Sequence, residues 1–371
     1  MAHPSDIARI AGFASNPIDA AAIGGRAFAA VIGDAPSQYS KSPQLWNAAF
    51  AATGIDAFYF PLDVDEAHLG GLVRTLKESD RFLGANVTVS HKTRVIDFLD
   101  DVDPAARQIQ AVNTIVRAAD GRLIGYNTDG EGFIESLLRP QPDQSGSLLA
   151  TLSGRSVLLL GAGGSARALA FHLAIKLQGA KLVICNRTLE HGEALAREIK
   201  VAGGNALAIS ENEARRCAPA VGLIVNSTTK GQGGLRGSGA GAQWLLEPYS
   251  ALAPAHPPLL PRDGLAPAEF EKRWRAAAQA DIDSNNRVSL SIAQSVPAET
   301  AFYDLIYHPE ETVFLRHARI TGHRTMNGKA MIVNQAALAF CNHVCRAALD
   351  HRGRDRSHIL DRLIDIMYSA W

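Results

Sequence analysis

The 371-residue chain lacks an excess of charge of either sign, because Lys plus Arg and Asp plus Glu both total 37. A balanced surface provides no electrostatic drive toward nucleic acid or an anionic membrane, so neither is expected as a partner. Long apolar runs are also missing. No stretch reaches the about 18 uninterrupted apolar residues of a membrane-spanning helix. The N-terminal MAHPSDIARIAGFAS has no basic start followed by an apolar run, so no secretory signal is read and a cytoplasmic location is expected. Cysteine is scarce. Of the four, only Cys341 and Cys345 are close, and no second Cys/His pair with zinc spacing stands nearby. That argues against a metal site and for buried free thiols in a reducing compartment.

What the chain does have is apolar sequence in short pieces. Hydrophobic residues make up 47% and charged residues 20%, a soluble globular balance, and the length exceeds one ordinary core, so two domains are expected. Residues 1–26 are Ala-rich and weakly patterned and read as an N-terminal extension. From 27 to 138, strand-like runs (AFAAVIG, AFYFPLDV, ANVTV, TIVRA, RLIGYNTD) alternate with helical patterns near 43–53, 65–78, 93–99 and 131–138. Such alternation predicts an α/β domain with a mostly parallel sheet. RPQPDQSGS (139–147) reads as a linker. A second α/β unit follows over 148–326, with helices at 165–178 and 190–201. Residues 232–297 are dense in Gly and Pro and read as an insertion with one helix, dispensable for the core. The segment 327–371 is helical and is expected to pack back on the first domain.

Chemistry enters at residues 156–167. The strand Ser156-Val157-Leu158-Leu159-Leu160 runs into Gly161-Ala162-Gly163-Gly164-Ser165-Ala166 and then a helix. This is the G-x-G-x-x-G/A pattern of a dinucleotide site. Gly161 permits the tight turn, Gly163 lets backbone approach a pyrophosphate, and Ala166 lets helix and strand pack closely. The next strand ends in Asn186-Arg187-Thr188, where an NAD site would carry an acid for the ribose hydroxyl. A guanidinium there pairs with a 2′-phosphate, so NADP is expected, with NAD as the alternative. The plainer reading of Arg187 is a side chain covering its helix.

A lysine also stands where a strand hands over to a helix, in GANVTVSHKTRVIDFLDD (84–101). Together with QAVNTIV, GYNTDGEGF, GAGGSARA, CNRT, VNSTTKG, FYDLIYHPEET and NGKAMIVNQAALAF, in that order, it resembles the shikimate/quinate dehydrogenase family, from about Val31 to Ala347. The resemblance implies a two-domain enzyme: an N-terminal α/β substrate domain and a Rossmann-type NADP-binding domain. It implies reversible reduction of 3-dehydroshikimate to shikimate, with quinate or a related cyclic polyol acid as the alternative substrate. A third reading is a non-catalytic ligand-sensing relative. Intact Lys92 and Asp129 argue against it.

Lys92 and Asp129 occupy the family's catalytic positions. Such chemistry leaves alkoxide charge on the carbonyl oxygen. An ammonium can stabilise that charge and deliver a proton, and a carboxylate can orient the ammonium. Ser40 and Ser42 resemble the hydroxyls that bind the substrate carboxylate, although Ser42 before Pro43 also reads as a helix N-cap. In the family that the chain resembles, two serines there go with shikimate more often than with quinate, so the resemblance implies shikimate. Thr88, Asn113, Gln335 and Tyr307 match substrate-side positions, Tyr307 near the nicotinamide like Gly328, although Asn113 could be a turn residue and Gln335 a core amide. Asn226, Ser227, Thr228 and Gly328 match cofactor-side positions. Two residues depart from the pattern. Ser90 stands where proline is usual, and His191 stands where many members carry a second basic side chain for the 2′-phosphate. A monomer or homodimer is expected.

Overall fold

The computed structural model describes residues 6–88, 90–237, 241–350 and 356–371. Val89 of the strand-like run ANVTV, and the parts of the extension, the insertion and the C-terminal segment at 1–5, 238–240 and 351–355, lie outside them. The chain divides into two compact units, Met1–Glu135 with Ile332–Trp371, and Ser136–Met331.

The first unit is built on strands β1 (Ala27–Gly33), β2 (Ala57–Asp63), β3 (Phe82–Val87), β4 (Asp101–Val102), β5 (Thr114–Arg117) and β6 (Leu123–Tyr126), in the order β2-β1-β3-β5-β6-β4. β1 pairs in parallel with β2 and β3, and β4 with β6, while β5 runs antiparallel to both its neighbours. Both faces of β1 are covered, which explains its unbroken apolar sequence. Phe28, Ala30 and Ile32 enter one core, and Ala29 and Val31 enter the other. That second core includes Val333, Phe340, Leu363 and Met367 from the C-terminal helices.

Residues 6–23 are not a loose extension. They form two short helices, Asp6–Ala11 and Ala20–Ile23, whose Ile7, Ile10 and Ile23 are buried with Phe28 and Leu72. Helices of six and four residues are too short to display a period, which is why the segment looks unpatterned.

In the second unit, β7 (Val157–Leu160), β8 (Leu182–Cys185), β9 (Ala206–Ile209), β10 (Leu223–Asn226), β14 (Ala301–Asp304) and β15 (Thr325–Met326) form an all-parallel sheet ordered β15-β14-β10-β7-β8-β9. The strand order reverses between β7 and β10, the switch point where doubly wound sheets bind nucleotides. A small sheet of β11 (Leu235–Gly237), β12 (Ala242–Leu245) and β13 (Leu260–Pro261) lies within the segment read as an insertion.

The boundary of that insertion needs correction. Its helix, Pro267–Ser295, has 29 residues. The first half buries Phe270 and Trp274 against Leu245 and Tyr249. The second half places Ile292 and Ala293 in the same core as Leu158, Ile224 and Phe302. Between them the helix docks through polar groups: Asn285 Nδ2 donates to the carbonyls of Ser250, Ala253 and Pro254 at 3.1, 3.0 and 2.9 Å. Only EFEKRWRAAAQAD shows apolar helical spacing, whereas DIDSNNRVSLSIAQS hides its buried face behind Asn and Ser.

Candidate active site

In the first unit, β3 ends at Val87, and Lys92 lies in the turn before a 3₁₀ segment, Arg94–Phe98. The turn is pinned at both ends. The His91 amide donates to the Thr88 carbonyl at 3.0 Å, and the Val112 amide donates to the Lys92 carbonyl at 2.8 Å. The imidazole of His91 is buried, with Nε2 2.6 Å from the Val64 carbonyl, so it serves the turn and not the chemistry.

Lys92 Nζ lies 2.5 Å from Asp129 Oδ2, with side-chain exposures of 22% and 6%. Among the described residues this is the one hydrogen bond of the ammonium, so its other donors remain for a ligand. Asp129 opens the helix Asp129–Leu138, and its amide donates to Asn127 Oδ1 at 3.0 Å. Its second oxygen accepts from Asn113 Nδ2 at 2.8 Å. Asn113 also reaches Thr128 and Gln335, at 3.1 and 3.3 Å. Asn113 and Gln335 are therefore members of one polar cluster with the Lys92–Asp129 pair.

Gly132 makes this possible, since a Cβ there would stand 2.6 Å from the Gln335 backbone nitrogen. Only a residue without a side chain lets these two helices approach so closely.

Asn86 also belongs here, and the motif reading passed over it. It is buried, accepts from the Tyr59 hydroxyl at 2.7 Å and donates to Thr114 Oγ1 at 3.3 Å. It precedes Thr88 by two residues on an extended chain, so the two share a face. Burial raises the pKa of the Tyr59 hydroxyl well above its ordinary value, against the opposing pull of the Ser42 hydroxyl. Ser42 does not cap its helix. It is the first residue of Ser42–Thr53, and its amide instead donates to Ser40 Oγ at 3.2 Å.

The second unit holds a cleft of about 770 Å³ along the carboxyl ends of β7, β8 and β10. Ala162, Gly163, Asn186, Arg187, Thr188 and Thr228 line it. Gly161 has φ 111°, and a Cβ there would stand 2.7 Å from Ser227 Oγ, so both its backbone and its surroundings demand glycine. At Gly163 and Gly164 a Cβ would meet nothing within 4 Å, which leaves the turn open to a ligand. Gly163 is the N-cap of the helix Gly164–Lys176, within which Ser165 lies and Ala166 is buried. Arg187 is exposed and has no ion pair among the described residues, and Glu211 in the same cleft is already matched by Lys230 at 2.6 Å. An open glycine turn with a free guanidinium and no unpaired acid fits a dinucleotide bearing a 2′-phosphate.

Asn226 and Ser227 do not face this cleft. Asn226 is fully buried, donating to Asp304 Oδ1 at 2.9 Å and accepting from Thr228, while Ser227 Oγ donates to the Leu160 carbonyl at 2.6 Å. They hold the loop that presents Thr228. Gly328 packs directly on the Leu305 carbonyl, two residues before Tyr307, and a Cβ there would overlap it at 2.0 Å.

These features match known proteins. Residues 31–115 match the family described as shikimate dehydrogenase substrate binding domain, and residues 144–233 match that described as shikimate/quinate 5-dehydrogenase. A shikimate dehydrogenase (NADP(+)) of Symbiobacterium thermophilum is 37% identical over 309 residues, 82% of this chain and 85% of its own. The chain belongs to the shikimate dehydrogenase family. Shikimate 5-dehydrogenase from Thermus thermophilus, solved with NADP(H) and shikimate, has a TM-score of 0.61 at 27% identity, covering 93% of this chain and 99% of that one. A ligand-free 5-ketofructose reductase of Gluconobacter has a TM-score of 0.62 at 25% identity, covering 92% and 100%. No helix among the described residues is long and apolar enough to cross a membrane.

Behind the loop that presents Thr228, Asp304 is a further buried polar residue that the motif reading missed. It is fully buried and accepts from Asn226, the Ile306 amide and the Thr312 hydroxyl, the last at 2.6 Å. Desolvation outweighs these donors and pushes its carboxyl up to about 7. A raised carboxyl pKa means that the folded state holds its proton longer than the unfolded state, so stability from this group falls as pH rises from the ordinary 3.8 to about 7 and then levels off. Melting temperatures measured across that range should fall more steeply for the wild type than for Asp304→Asn; parallel curves would contradict this role.

Proposed function

We propose that this protein catalyses the NADP-dependent, reversible reduction of 3-dehydroshikimate to shikimate. The observation that carries the reading is the Lys92–Asp129 pair, a half-buried ammonium held at 2.5 Å by a carboxylate that Asn113 fixes from its other side. NADPH, when bound, supplies the hydride from C4 of its nicotinamide ring. The chain supplies the rest. Lys92 Nζ donates a hydrogen bond to the ketone oxygen, stabilises the alkoxide charge that develops there and delivers the proton. Asp129 holds and aims the ammonium. Ser40 and Ser42 hold the substrate carboxylate, and Thr88, Asn86, Asn113 and Gln335 provide polar groups for ring hydroxyls. Tyr307 and Gly328 belong to the nicotinamide end, and Ala162, Gly163, Asn186, Arg187, Thr188 and Thr228 to the cofactor cleft. The four free cysteines suit a reducing cytoplasm, and burial pushes the Cys185 thiol up to about 12, far from reactivity. We assign the chain as a monomer or homodimer, which light scattering on the eluted protein decides.

Two tests bear on the ligands. Ser42→Ala should weaken binding of shikimate by ~1.5–3 kcal/mol, the range for a hydrogen bond to a charged group, without changing NADP affinity. Unchanged shikimate affinity would remove Ser42 from the site. Arg187→Asp should raise KM for NADP and leave NAD use less affected, because a carboxylate repels the 2′-phosphate yet accepts from a ribose hydroxyl. A wild type that already prefers NAD would overturn the cofactor assignment.

A further inference from the structure

The cleft that holds Arg187 has a second wall. Besides the glycine turn and the end of β8, it is lined by Trp244, Leu246, Ala255, His256, Pro257 and Leu259. These residues lie beyond residue 233, the last residue of the shikimate/quinate 5-dehydrogenase domain match. The wall is built, not loose. Lys230 Nζ donates to the Ala253 carbonyl at 2.9 Å, Asn285 holds the carbonyls of residues 250, 253 and 254, and the His256 amide donates to Asp281 Oδ2 at 2.8 Å. The same carboxylate meets His256 Nδ1 at 3.5 Å, which sets the ring and turns Nε2 away from Asp281; in the imidazolium form both ring nitrogens are donors, so Nε2 is then free to donate to an anion. Leu259 is 61% exposed on this wall, so its apolar surface is open to a ligand.

We infer that residues 244–259 form a subsite for the adenosine half of the cofactor, with Trp244, Pro257 and Leu259 packing the adenine and His256 joining Arg187 and His191 around the 2′-phosphate. The inference rests on the NADP reading. An adenine is flat and apolar on its faces and packs against side chains such as Trp244, Pro257 and Leu259, and a 2′-phosphate is a dianion that accepts from several donors at once. His256 takes the place of a second basic side chain that the β8 end itself lacks, where the helix following it offers His191. Anchoring through Asp281 means that the donor is held by the long helix Pro267–Ser295 and not by the loop alone.

Calorimetric titration of the full chain with adenosine 2′,5′-bisphosphate, 5′-AMP and NADP tests this. His256→Ala should raise Kd for the bisphosphate and for NADP by about tenfold, as loss of a hydrogen bond to a charged group does, and leave 5′-AMP unchanged. Trp244→Ala should weaken all three. His256 is exposed, so its variant should fold and keep the wild-type melting temperature. If both variants bind all three ligands as the wild type does while Arg187→Asp loses the bisphosphate, the wall is not part of the site and the NADP reading stands. If the wild type binds neither NADP nor the bisphosphate, that reading fails first.

Discussion

Lys92→Ala should lower kcat by about 100-fold or more and change KM for shikimate far less, a loss of the usual size for a positioned proton-transfer group. The reason lies in when the interaction is made. The neutral ketone or alcohol of the bound ligand gains little from an ammonium, whereas the alkoxide charge of the transition state gains much, so the loss falls on the rate constant. Removing the side chain also leaves Asp129 without its cation. That carboxylate is only 6% exposed, which argues for pairing Lys92→Ala with Asp129→Asn. The two losses should be far from additive, because the residues act as one unit. Steady-state kinetics with shikimate and NADP measure this, and near-normal turnover in a folded Lys92→Ala protein would remove Lys92 from the mechanism.

The second large effect concerns the segment after the cofactor loop. Trp274→Ala should destabilise the second unit by about 3–5 kcal/mol, the cost of emptying a buried aromatic site. The indole is fully buried beside Tyr249 and Phe270, and its Nε1 donates to the Pro258 carbonyl at 2.7 Å. Replacing residues 235–295 by a short Gly/Ser linker should be worse still. It strips Ile292 and Ala293 from Leu158, Ile224 and Phe302, on the sheet that carries the glycine turn. Urea unfolding of the point variant and solubility of the deletion check the two claims. A soluble, NADP-binding deletion protein would show that the segment is ornamental after all.

Much of this was legible in the chain. Continuous apolar runs such as VLLL and LVIC mark strands buried on both faces, and the glycine pattern between strand and helix locates the switch point of the sheet. The lysine at the end of β3 and the aspartate after β6 were readable because motif order brought them together; nothing in spacing alone places residues 92 and 129 side by side. What was not legible has a common cause, burial through hydrogen bonds in place of apolar contact. Asn285 and Ser289 look like solvent residues until Ser250 and His317 are found against them. Asn226 and Ser227 look like ligand groups but satisfy the protein's own carbonyls and carboxylate. Asn86 could have been found, since it stands two residues before Thr88 in the same motif. Asp304 could also have been found, as an acid closing the apolar strand AFYD.

The most direct measurement is the initial rate of NADPH formation by the purified wild type, with shikimate and quinate each offered with NADP and with NAD. The largest kcat/KM is expected for shikimate with NADP, with quinate poorer and NAD poorer for either acid. Turnover of neither acid with either cofactor, by a folded protein that binds NADP, would contradict the account.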